Sequence, residues 1–149
     1  MKVGIDIDNL DISRAVINEL KNEGYYVVNM SLDKCEPIGQ EVFKKAILAN
    51  SAKLDFFLLI KTQSNQNNIH VYYKNNTLSK YFSIKFIKLL NKFGINNLRI
   101  NKGEEFYLIK NIKAPTVIIK LNIDNKKIQK DELIKSILYC IEWIKDKYF

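Results

Sequence analysis

Histidine occurs once in this sequence, at His70, and cysteine twice, at Cys35 and Cys140. A structural zinc site takes four Cys or His ligands, more than the chain contains. Two cysteines do not make a disulfide framework. Arginine is as scarce: Arg14 and Arg99 are the only two among 24 basic residues. Readers of nucleic-acid sequence lean on arginine for bidentate contacts to guanine and phosphate, so such recognition is not expected. No apolar run reaches the roughly 18–20 residues of a membrane span. The opening MKVGIDID meets acidic residues at once and has no signal-peptide core. As it stands the chain is expected in the cytoplasm, and an export segment removed earlier would place it outside. The five glycines and two prolines leave no linker and read as element boundaries. No repeat of 20–50 residues is visible.

What is present is a globular composition: 149 residues, 47% apolar and 27% charged. That is one domain, 1–149, long enough to bury a core without staples. The net charge of +8 is uneven. Residues 1–60 hold 7 Lys/Arg against 9 Asp/Glu, and residues 61–149 hold 17 against 7. Lysine, isoleucine and asparagine dominate, a bias that an AT-rich genome produces without any functional cause.

Hydrophobic patterning alternates strands with helices. Lys2 to Ile7 reads as a strand. Asp11 to Glu23 reads as a helix with Ile12, Ala15, Val16 and Leu20 on one side, and Gly24 stands where a helix C′ residue belongs. Tyr25 to Met30 is β-branched and aromatic, a second strand. Pro37 to Asn50 is a helix expected to face Val42, Phe43, Ala46 and Ile47 inward. Asp55 to Ile60 is a continuous apolar run, which suits a parallel strand buried on both faces. Ile69 to Tyr73 is another strand. Thr77 to Phe93 is a long helix with a stripe of Leu78, Phe82, Phe86, Leu89, Leu90 and Phe93, closed by Gly94. Leu98 to Asn101 and Phe106 to Ile109 are short pieces. Thr116 to Leu121 is a buried strand entered through Pro115. Lys130 to Lys147 is the last helix, with Ile134, Ile137, Leu138, Ile141 and Ile144 at helical spacing. The fold class is therefore α/β: a single three-layer domain, a mixed, mostly parallel sheet of about six strands flanked by helices.

In such sheets, sites form beyond the carboxyl ends of the strands. The first strand is followed by Asp6, Asp8 and Asn9, and the third by Lys61, Thr62, Gln63, Ser64 and Asn65. The late strand carries Lys120 inside TVIIKLNID, followed by Asn122 and Asp124. A charge in a strand buried on both faces needs a partner. Either Lys120 sits at the strand's exit and snorkels to water, or Lys120 and Lys61 enter one pocket and meet Asp6 or Asp8. The second reading predicts an ammonium within about 4 Å of one of those carboxylates.

The order of segments resembles the zinc-dependent N-acetylmuramoyl-L-alanine amidases of the amidase-3 type. That family opens with a strand ending in a D-P-G-H-G type motif, and here the strand reads VGIDIDNLD. Its G-Y-x-V after a helix is NEGYYVV here. Its A-D-L-F-I-S-I-H-A-N strand is similar to ANSAKLDFFLLIKTQSN, and its G-V-E-V-Y-Y hairpin to NNIHVYY. Its Y-x-L-R-N-T-x-A-P-A-V-L-V-E-L-G-F stretch is similar to YLIKNIKAPTVIIKLNI, the most specific part. The resemblance covers nearly the whole chain and implies the phosphorylase/hydrolase-like fold of that family.

The resemblance also implies where the family's zinc and catalytic residues fall, and they are missing. The first zinc histidine falls at Asn9, the second at Lys61, and the catalytic glutamate at Lys120. The glutamate ligand after the first strand has no position, because that loop is deleted. His70 matches a strand position and not a ligand. A catalytic zinc needs three protein ligands and an open water position, while a lysine ammonium has three donors and no lone pair. The expected function is therefore a catalytically inactive amidase-like protein, with no zinc, acting in cell-wall or peptidoglycan binding or regulation. A cell-wall hydrolase or a peptidoglycan fragment would be the partner. Two alternatives stand beside it. One is an active amidase with an atypical site. The other is an anionic-polymer or nucleic-acid binder using Lys74, Lys80, Lys85, Lys88 and Lys92 with Tyr72, Tyr73 and Tyr81.

Overall fold

The structure, a computed structural model, describes residues 1–31, 38–63, 68–122 and 129–149. In chain order the elements are β1 (Lys2–Ile7), α1 (Leu10–Asn22), β2 (Tyr26–Asn29), α2 (Ile38–Ala52) and β3 (Phe56–Thr62). They continue with β4 (Ile69–Tyr73), α3 (Thr77–Lys92), β5 (Leu98–Lys102), α4 (Tyr107–Asn111), β6 (Thr116–Leu121) and α5 (Lys130–Tyr148). The strands form one sheet in the order β2-β1-β3-β6-β4-β5. Every pairing is parallel except β4 with β6. This is the mixed, mostly parallel sheet expected from the alternation of elements.

Side chains along a strand alternate between faces, and this divides the core in two. Val3, Ile5 and Ile7 of β1, Phe56, Leu58 and Ile60 of β3, and Val117 and Ile119 of β6 pack with α1, α3 and α5. The intervening residues, Phe57, Leu59 and Ile118, pack with Ala46 and Ala49 of α2 and Leu108 and Ile109 of α4. Gly4 lies on this second face and is not an element boundary. A Cβ there would stand 2.5 Å from Leu54 Cδ1 and 3.0 Å from Phe57 Cδ2. The close approach of the segment after α2 to β1 requires glycine at that point.

Helix ends follow the sequence signals. Asn9 Oδ1 accepts from Ile12 N–H at 3.0 Å and starts α1, and Asn76 Oδ1 accepts from Ser79 N–H at 2.9 Å and starts α3. Gly24 and Gly94 take positive φ of 87° and 80°. Each makes the paired bonds of a Schellman ending: Gly24 N–H to Lys21 O with Tyr25 N–H to Leu20 O, and Gly94 N–H to Asn91 O with Ile95 N–H to Leu90 O.

Three expectations are corrected. Phe43 and Ile47 of α2 are exposed, and so is Phe93, because each lies off the stripe that its helix buries. The piece from Phe106 to Ile109 is the start of a short helix, α4, whose Leu108 and Ile109 are buried. Asp55 precedes its strand and accepts from Lys2 N–H at 2.6 Å. Among the described residues, no helix is long and apolar enough to cross a membrane. Cys35, Pro37, Ser64, Asn65 and Asp124 lie outside the described residues.

Candidate functional site

Strands β1, β3 and β6 are consecutive in the sheet, so their carboxyl ends stand side by side. Asp6, Lys61 and Lys120 all project to the face that α2 and α4 cover. Lys61 and Lys120 are register partners on neighbouring strands. Helix α2 and the five-residue α4 leave a gap at the carboxyl edge of this face. There a pocket of about 100 Å³ is lined by Lys61, Lys120, Val42, Leu59, Ile118, Phe106, Tyr107 and Leu108. One of the two readings of Lys120 put both lysines in one pocket together with an Asp6 or Asp8 partner; the shared pocket is present.

The expected ion pair is not formed by either lysine. Asp6, buried at 7% exposure, meets Lys45 of α2 instead: Lys45 Nζ lies 2.5 Å from Asp6 Oδ2 and 2.8 Å from Glu41 Oε1. Ser31 Oγ approaches Asp6 Oδ1 at 3.4 Å. The reason is layering. Lys45 extends from α2 to the buried carboxylate on β1, whereas Lys61 and Lys120 stand on β3 and β6, one and two strands away. Burial raises the Asp6 carboxyl above its ordinary range despite Lys45. Burial pulls the Lys45 ammonium down, but its hydrogen bonds to Asp6 and Glu41 outweigh this and hold it above its ordinary value.

Asp8 is also committed elsewhere. Its carboxylate accepts from Thr62 N–H at 2.9 Å and from Thr62 Oγ1–H at 2.8 Å, tying the end of β1 to the end of β3. Among the described residues, no carboxylate pairs with Lys61 or Lys120. Lys61 is exposed and Lys120 half-buried. Lys120 Nζ lies 5.1 Å from the centre of the Phe106 ring and 6.0 Å from that of Tyr72, a cation–π setting. Snorkelling and a pocket are both part of its placement, and pairing with Asp6 or Asp8 is not. Beside it, Tyr72 stacks on His70 with ring centres 4.0 Å apart. His70 Nδ1 is 2.9 Å from Tyr72 Oη and its Nε2 is 2.8 Å from Asn101 Oδ1. A neutral His70 protonated at Nε2 satisfies both bonds, donating to Asn101 and accepting from Tyr72.

The lysines and tyrosines grouped in the polymer-binding alternative are split. Lys74 donates to Ile109 O at 2.8 Å and Ile112 O at 2.7 Å, closing the end of α4. Tyr73 is buried, and Tyr72 belongs to the strand-end site. Lys85 lies over the rings of Tyr139 and Trp143 of α5, beside Tyr81 and Lys88 in a separate groove between α3 and α5.

Sequence reasoning missed Lys45 and the Phe106–Tyr107 wall, and it named Val42 only as an inward-facing residue of its helix. The signal for Lys45 was a charged pair, Lys44–Lys45, inside an otherwise apolar helix stretch. Its direction depends on how α2 docks.

No protein-family model and no curated protein sequence matches this chain. Solved structures do. The catalytic domain of the CD27L endolysin targeting Clostridia difficile superposes with a TM-score of 0.75, at 14% identity over 95% of this chain and 97% of that one. The catalytic domain of CwlV, an N-acetylmuramoyl-L-alanine amidase from Bacillus (Paenibacillus) polymyxa var. colistinus, gives 0.73, at 18% identity over 98% and 99%. The CwlD amidase from Clostridioides difficile, solved in complex with the GerS lipoprotein, gives 0.66, at 12% identity over 98% of each chain.

The chain has the fold of the N-acetylmuramoyl-L-alanine amidase catalytic domains. The family resemblance implies a zinc ion, and Asn9, Lys61 and Lys120, at the positions it assigns, do not fit one. Asn9 spends its side-chain oxygen on the cap of α1. Lys61 and Lys120 offer ammonium groups without lone pairs, and two cations repel a third. Among the described residues, no three His, Cys, Asp or Glu side chains group so as to hold a metal.

Proposed function

We propose that this is a catalytically inactive amidase-fold protein that binds a peptidoglycan fragment. One observation carries the reading: two lysines in register line the pocket at the strand ends, at the positions that the family resemblance assigns to a zinc ligand and the catalytic glutamate. Amide hydrolysis by this fold needs a metal to activate water and a carboxylate to move its proton. Lysine supplies neither. What remains is a shaped, half-apolar pocket able to hold a ligand without cutting it.

A protein partner such as a cell-wall hydrolase is the second reading. Phe43 and Ile47 stand exposed on α2, and the CwlD amidase of the same fold is known in complex with a lipoprotein.

Sedimentation with purified peptidoglycan tests the proposal. The protein should pellet with the polymer at moderate salt, and the polymer should stay insoluble. A protein that remains in the supernatant at every salt concentration removes the fragment-binding role.

A further inference from the structure

We infer that the strand-end pocket is an anion site, which takes a carboxylate carried on a short apolar stem. The inference rests on reading the strand ends as a ligand site, and not on peptidoglycan being the ligand.

Three observations carry it. First, Lys61 and Lys120 are Cα partners on adjacent parallel strands and line the same pocket. Neighbouring strands run about 4.8 Å apart, so the backbone brings both side chains to the same stretch of the pocket rim. Second, among the described residues neither lysine has a carboxylate partner: Asp6 meets Lys45, and Asp8 accepts hydrogen bonds from Thr62. Lys120 is also half-buried, where a charge-assisted hydrogen bond is strong. Third, the rest of the lining is apolar. Leu59 and Ile118 form its floor, and Val42, Leu108, Phe106 and Tyr107 its walls. About 100 Å³ admits a carboxylate and a few carbons, and no extended polymer. An oxyanion in the pocket accepts from both ammonium groups, and the stem fills the apolar remainder.

Such a group could be a free short-chain acid or the carboxylate of a cell-wall stem peptide. A titration of the full chain by ¹H–¹⁵N NMR, at ionic strength held constant with chloride, separates them. The probes are butyrate, inorganic phosphate and the dipeptide L-alanyl-γ-D-glutamate. Butyrate and the dipeptide should shift the signals of Leu59, Leu108 and Ile118 saturably and bind more tightly than phosphate. Preference for the dipeptide traces the carboxylate to a cell-wall peptide and preference for butyrate to a free acid; either supports the site. Lys61→Gln and Lys120→Gln should each weaken binding about tenfold or more, as loss of a charged hydrogen bond does. Lys85→Gln, in the distant α3–α5 groove, should leave it unchanged. Lys61 is exposed, so Lys61→Gln keeps the test intact if the Lys120 variant fails to fold. The inference is overturned if no saturable shift occurs, if phosphate binds most tightly, or if binding is unaffected by Lys61→Gln. Peptidoglycan cleavage by the protein would defeat the proposed function while leaving these titrations to stand or fall separately.

Discussion

Lys45 of α2 reaches across the sheet face to Asp6 of β1 and meets its carboxylate at 2.5 Å, with both side chains buried. This pair ties helix α2 to β1, the strand beside β3. Removing one partner of a buried pair leaves an uncompensated charge, which costs about 3–5 kcal/mol. Lys45→Met should therefore destabilise the protein by about that amount. Combining it with Asp6→Leu should restore most of the loss, since two apolar residues can replace a buried pair at little cost. Chemical denaturation of the two single variants and the double variant measures the coupling directly.

The same pair gives stability a pH dependence at both ends. Asp6 is raised above its ordinary 3.8 in the folded state. The folded chain then holds a proton that the unfolded chain has lost, so this group's contribution falls as pH rises from about 3.8 through the raised value. Lys45 is raised above 10.5, so its contribution is complete below that pH and is lost as pH climbs through the folded value. Melting temperatures across both windows should show these two slopes, and Asp6→Asn should flatten the acidic one.

Gly4 is a packing requirement. A methyl group there would press on Leu54, Phe57 and Met30, which are all buried. Gly4→Ala should cost about 1–3 kcal/mol through overpacking, read as a lower denaturant midpoint at unchanged slope.

Much of this fold was legible because its signals are local or periodic. The run DFFLLI announced a doubly buried strand, and Gly24 and Gly94 marked two helix ends by their freedom at positive φ. The shared pocket of Lys61 and Lys120 was one of two readings the strand ends left open, because the apolar runs place both lysines at strand exits without fixing the sheet order that makes them neighbours. The direction of Lys45 was not legible: it depends on the docking of α2, whose apolar residues leave Phe43 and Ile47 exposed. Five-residue α4 is too short to show a helical period. Lys53 ends α2 at a φ of 52°, a conformation that glycine usually signals and lysine conceals.

Zinc should leave this protein's stability unchanged. A ligand that binds the folded state alone raises the melting point by mass action, and Asn9, Lys61 and Lys120 offer no lone-pair set for the metal. Thermal melts with and without added zinc should coincide, and elemental analysis of the purified protein should find no stoichiometric zinc.

Turnover tests the central claim most directly. Purified muropeptides are incubated with the protein, with and without zinc, beside an active amidase of the same fold, and free stem peptides are quantified by chromatography. The account predicts no release above the no-enzyme control in either condition, including for Lys120→Glu alone, because a restored base still has no metal-bound water to act on. Zinc-dependent release of stem peptides by the unmodified protein would contradict it.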